Sequence, residues 1–150
     1  MAIFKIFIFL NFFTFGLSYE SILDNREYIK LFKLSIEYEK HKKSLEDIIE
    51  KNKFYALKVS DIKKIKLLIE KTENIINETY SHNSTNSLIK SQIYQIKFEI
   101  DEIKVIINDI MKNFSRKKNK VFIDNIYKLE YYLFRMSIYL KGISQNLSIL

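Results

Sequence analysis

Residues 87–114 read SLIKSQIYQIKFEIDEIKVIINDIMKNF, and the spacing of the isoleucines in this stretch decides the fold. Ile89, Ile93, Ile96, Ile100, Ile103, Ile107, Ile110 and Phe114 follow one another at alternating steps of four and three. That spacing keeps all eight side chains on one stripe of an α-helix. Ile96, Phe98 and Ile100 also alternate with Lys97 and Glu99, as a half-buried strand would, and isoleucine favours strands. The alternation lasts five residues and the helical stripe lasts the whole segment. The segment therefore reads as a helix with one strongly apolar face.

Working outward, Ser115–Asn119 (SRKKN) breaks the pattern, after which Phe122, Ile126, Leu129, Leu133, Met136, Leu140, Ile143 and Leu147 repeat it. Two segments of similar length and phase on either side of a short polar break predict an antiparallel helical hairpin, 88–114 with 120–142. Gly142 is expected to end or fray its second helix. On the N-terminal side, SHNSTNS (81–87) reads as the clearest loop in the chain, because small polar side chains compete with helical hydrogen bonds and can cap the next helix. Before it, Leu31, Leu34, Tyr38, His41, Leu45 and Ile48 form one stripe, extended by Asn52 and Tyr55 and widened by Phe32 and Ile36. Ile62, Ile65, Ile69, Thr72 and Ile76 form another. The register slips between Asn52 and Val59, which places a bend near 50–54, although no glycine or proline marks it; a single long helix over 21–80 is the alternative. Ser21 and Asp24 are spaced as a weak capping box that would start the first of these helices.

Composition supports the same class. The chain has 150 residues, 47% of them hydrophobic, with no proline, two glycines and two alanines against 26 isoleucines and 22 lysines. Strand-and-turn architectures lack their usual turn residues here. Isoleucine at both core positions of a heptad disfavours a two-stranded coil and suits three or four helices around a wider core. The expected fold is an all-α antiparallel bundle of three to four helices.

Met1–Ser18 reads as a secretory signal peptide: one Lys5, an apolar run from Ile6 to Phe15, then Gly16-Leu17-Ser18. Cleavage would leave Tyr19 first, so the domain division is 1–18 and 19–150. An uncleaved N-terminal membrane anchor is the alternative, although the run is short of the roughly 20 residues a span requires. The reading implies an exported protein, secreted, periplasmic or at the cell surface.

Chemistry-bearing constellations are sparse. The absence of cysteine excludes disulfides, thiolate catalysis and thiolate metal sites. Of two histidines, His41 lies on an apolar stripe and His82 in the polar stretch, and neither has a carboxylate three residues before it, as carboxylate-bridged metal bundles require. A phosphate-cradling glycine loop cannot be built from Gly142 alone. Adjacent carboxylates such as Glu46/Asp47 and Asp101/Glu102 diverge around a helix. No enzyme, cofactor or metal is expected.

Two stretches carry binding signal. Lys112, Arg116, Lys117, Lys118 and Lys120 are five cations with no acid between Ile110 and Ile123, against a net charge of +7 for the chain. Such a field favours an anionic partner; an export signal argues against nucleic acid and for a polyanionic carbohydrate, an anionic lipid or an acidic protein face. The plain alternative is a solvated turn. In the last helix, Tyr127, Tyr131, Phe134 and Ile138 form a second apolar line and Tyr132 and Tyr139 a third. Either this is the most buried helix of the bundle, or the second line is an exposed patch that docks a protein partner or a membrane surface; a homo-oligomer is open, with no site assigned to it. Asn77, Asn83, Asn113 and Asn146 begin N-glycosylation patterns, of which Asn83 is the most loop-like.

Overall fold

The computed structural model describes residues 26–150. The proposed signal peptide, its cleavage point and the Ser21–Asp24 cap lie outside the described residues. Four helices and no strand occur within them: α1 (Glu27–Glu50), α2 (Val59–Asn83), α3 (Ser87–Lys112) and α4 (Lys120–Ser148). Single 3-10 turns at Phe54–Ala56 and Phe114–Arg116 sit in the first and third connections.

The helices form a closed antiparallel bundle in which each packs on its neighbours in the chain and α1 packs most extensively on α4. Contacts in opposite chain order fix the directions: Glu27–His82 and Glu37–Lys71 for α1 and α2, Glu73–Lys104 and Tyr80–Tyr94 for α2 and α3, Glu99–Arg135 and Phe114–Phe122 for α3 and α4, and Tyr28–Ser144 and Lys42–Glu130 for α1 and α4. Lys71 meets Glu37 at 3.5 Å between α2 and α1, and Lys104 meets Glu73 at 2.5 Å between α3 and α2. Arg135 meets Glu99 at 2.7 Å between α4 and α3, and Lys141 meets Glu39 at 3.2 Å between α4 and α1. The isoleucine stripe of α3 from Ile89 to Ile110 is buried along its whole length, each side chain contributing about 1.5–3 kcal/mol of gross transfer free energy. The α4 stripe from Phe122 to Ile143 is buried equally deeply, and Leu31, Leu34, Tyr38, Leu45, Ile62, Ile65, Ile69 and Ile76 complete the core. Phe114 ends the α3 stripe by meeting Phe122 edge to face, with centroids 5.6 Å apart.

The bend in the first half of the chain is real, and its chemistry explains why no glycine marks it. Asn52 takes φ 52°, the left-handed conformation that glycine commonly supplies after a helix. Lys53 N–H then reaches back to Ile48 O at 2.9 Å, satisfying one of the carbonyls left open at the end of α1.

Two expectations are corrected. The loop expected over 81–87 shrinks to three residues, because α2 runs through Asn83. Ser81 Oγ donates to Glu78 O and Asn83 Nδ2 to Thr79 O, so both polar side chains are satisfied within the last turn of the helix. Asn86 caps α3 by accepting from Ile89 N–H at 3.0 Å. Gly142 does not end α4, which continues to Ser148. It faces Gln92 of α3, whose Nε2 would lie 3.8 Å from an added Cβ.

Candidate functional site

The basic turn lies at one end of the bundle, beside the connection between α1 and α2. Lys117 joins the two: its Nζ donates to Leu57 O at 2.7 Å and to Tyr55 O at 3.3 Å, and lies 4.7 Å from the centre of the Phe114 ring. This qualifies the sequence expectation. Lys112, Arg116, Lys118 and Lys120 are exposed, but Lys117 is half-buried and spends its ammonium on backbone carbonyls of the neighbouring connection. That connection brings Lys51, Lys53 and Lys58, all exposed, with no acid between residues 51 and 58. Sequence reasoning missed these three because they stand some sixty residues from the turn. Lys51 is drawn to Asp47 at 2.9 Å. Among the described residues, the side-chain cations of Lys53, Lys58, Lys112, Arg116, Lys118 and Lys120 form no ion pair, although the Lys58 backbone N–H donates to Asp61 Oδ2 at 2.9 Å.

The second apolar line of α4 lies outside the core. Tyr127, Tyr131, Phe134 and Ile138 are between 44% and 53% exposed, while the stripe behind them is fully buried. The second line is thus accessible on a helix whose inner stripe stays buried. Tyr127 leans on Phe54 of the first connection, ring centres 6.4 Å apart, and Lys42 Nζ lies 5.4 Å from the Phe134 ring centre. On α3, Tyr94, Phe98 and Val105 are likewise exposed, with the Tyr94 ring centre 6.2 Å from that of Tyr80 on α2.

Between α3 and α4 lies a polar contact the sequence did not announce. Glu99 is fully buried, and its Oε1 accepts from Arg135 at 2.7 Å and from Gln95 Nε2 at 3.3 Å. Its Oε2 has no hydrogen-bond partner. Burial pushes the Glu99 carboxyl above the ordinary carboxylate range, and Arg135 opposes that shift. The Arg135 guanidinium lies 5.5–5.7 Å from the ring centres of Tyr131, Tyr132 and Tyr139 and donates to the Tyr139 hydroxyl at 3.0 Å. The line Gln92, Ile96, Glu99, Ile103, Ile106, Ile110, at steps of four and three, was the available signal: Glu99 occupies a core position of a second stripe.

The other candidates are quickly placed. His41 is half-buried, and burial lowers its pKa against the opposing pull of Glu37. His82 pairs with Glu27 across the α1–α2 interface, and Asn83, the most loop-like glycosylation position, ends α2 with its amide bonded to Thr79 O. A shallow groove between α2 and α3 is lined by Lys66, Glu70, Lys104 and Asn108 over Ile69 and Ile107. Among the described residues no three histidine or acidic side chains converge as a metal-binding set would, and no helix is long and apolar enough to cross a membrane. Comparison with protein-family models, curated proteins and solved structures finds no match.

Proposed function

We propose that this chain is an exported, non-enzymatic helical binding protein that meets a protein partner along the outer edge of α4. The observation that supports this reading is the line Tyr127, Tyr131, Phe134 and Ile138, about half exposed on a helix whose inner stripe is completely covered. Large aromatic side chains held on a rigid helix supply contact area at little entropic cost, which is why such residues are enriched where proteins bind. Export rests on the sequence of residues 1–18.

A photo-crosslinking residue placed at Tyr131 is expected to trap a protein partner in the native cell, and the same probe at Glu70, on the exposed side of α2, is not. Equal labelling from both positions rejects the α4 edge as the site. The mature protein is expected in the exported fraction with Tyr19 as its first residue; a cytoplasmic product that retains residues 1–18 rejects export. A second reading, a membrane-associated protein held by an uncleaved N-terminal helix with α4 on lipid, draws on the same edge. Its outward positions from Tyr127 to Ile138 carry a single charge, Lys128. Release by carbonate or high-salt washing counts against that anchor.

A further inference from the structure

We propose that the end of the bundle formed by residues 51–58 and 112–121 is one composite cationic surface that docks on an anionic lipid bilayer. Two connections that are distant in sequence are locked together there by Lys117, whose ammonium bonds to the carbonyls of Tyr55 and Leu57. The lock leaves Lys51, Lys53 and Lys58 on one side and Lys112, Arg116, Lys118 and Lys120 on the other, all exposed. Neither connection contains an acid. This surface differs from the α4 edge and does not depend on how residues 1–18 are processed, so either proposal can fail alone.

Two features favour a bilayer over a polysaccharide or an acidic protein. Six of the seven exposed cations are lysines, compact point charges on flexible stems, which suit a diffuse anionic field; bidentate recognition of discrete sulfates or carboxylates favours arginine. Apolar side chains stand among them: Tyr55 is 73% exposed and Val121 is 54% exposed. A tyrosine beside lysines is the pairing found where protein enters the headgroup layer, the ring lying at the interface and the ammonium reaching the phosphates.

The test uses the purified protein with phosphatidylcholine vesicles, with and without phosphatidylglycerol, at several salt concentrations. Binding is expected only with phosphatidylglycerol and is expected to weaken as salt rises. The variant Lys53→Gln/Lys58→Gln and the variant Arg116→Gln/Lys118→Gln/Lys120→Gln should each weaken it, by roughly 5-fold per charge removed. Tyr55→Ser/Val121→Ser should weaken it at high salt, where the electrostatic part is screened. If the turn variant loses binding while Lys53→Gln/Lys58→Gln does not, the composite surface is wrong and the turn acts alone. Binding to heparin with none to phosphatidylglycerol vesicles, unaffected by Tyr55→Ser/Val121→Ser, overturns the lipid assignment in favour of a polysaccharide. Should a variant lose helicity, lysine acetylation of the unaltered protein on vesicles decides instead. Lys53, Lys58, Lys118 and Lys120 are expected to be protected and Lys71, which lies mid-helix on α2, to react; uniform reactivity overturns the proposal.

Discussion

The seam between α1 and α2 and the seam between α3 and α4 each bury polar groups, and they do so in opposite ways. In the first, the Tyr38 hydroxyl meets Thr72 Oγ1 at 2.8 Å, and Thr72 also donates to Leu68 O at 2.7 Å. Both groups are neutral, both are satisfied, and burial holds the Tyr38 phenol well above its usual pKa, so it stays protonated. In the second, a fully buried carboxylate faces a guanidinium that is 30% exposed, and one carboxylate oxygen is left without a partner. A neutral pair is cheap to desolvate and adds modest stability. A charged pair costs several kcal/mol to take out of water and recovers that only through its partner. The α3–α4 seam is therefore the more fragile of the two, and it is the one beside the exposed aromatic edge.

The largest expected effect comes from breaking the charged seam. Arg135→Met leaves Glu99 buried and uncompensated, and should cost about 3–5 kcal/mol near neutral pH in urea denaturation. The pH dependence has a definite sign. The folded carboxyl is raised above its unfolded value, and loss of Arg135 removes the influence that opposes the rise. The folded state then binds its proton more tightly than the unfolded one, so stability falls as pH increases from the ordinary carboxylate range through the raised folded value. Below that range the penalty is absent. The variant should thus recover at acidic pH, and adding Glu99→Met should restore most of the lost stability at all pH values. A variant equally destabilised at acid and neutral pH shows that Arg135 acts by packing on its three tyrosines rather than by charge.

The neutral seam should break asymmetrically. Thr72→Val leaves the Tyr38 hydroxyl buried without a partner, with an expected cost of about 1–3 kcal/mol. The smallest effect belongs to Tyr38→Phe. Thr72 keeps its bond to Leu68 O, so the loss should be about 0.5–1 kcal/mol, read as a shift in the denaturation midpoint at constant slope. If Tyr38→Phe costs more than Thr72→Val, the hydroxyl pair matters through something other than hydrogen-bond satisfaction, and the contrast between the seams loses its basis.

The periodic segments were legible because hydrophobic spacing is a local property of each helix. The buried stripe of α3 matches its isoleucine pattern residue for residue from Ile89 to Ile110. The break after Glu50 was legible from the loss of register, even with asparagine standing in for glycine at position 52. The polar run at 81–87 misled, because serine and asparagine can satisfy their side chains on a carbonyl one turn back and so be tolerated in the last turn of a helix held by its packing. Tyr55 continues the first apolar stripe by spacing and is nonetheless exposed, since α1 ends at Glu50 and the helical period stops with it. Ile36, at the margin of that stripe, is exposed because the stripe is narrower than its apolar residues suggest.

Sequence alone determined that this chain is built from amphipathic helices, that the first breaks near Glu50, and that cations gather at the turn between the last two. Each of those properties is set by residues within a few turns of one another. Tertiary structure decided which of α4's apolar lines remains outside, because a helix with three such lines can bury any of them and the choice falls to where α1 and α3 press against it. It also decided that Glu99 is sealed against Arg135 and that Lys53 and Lys58 share an end of the bundle with Arg116 and Lys118. Those pairings depend on how antiparallel helices align across the core, and no local spacing in the chain encodes that alignment.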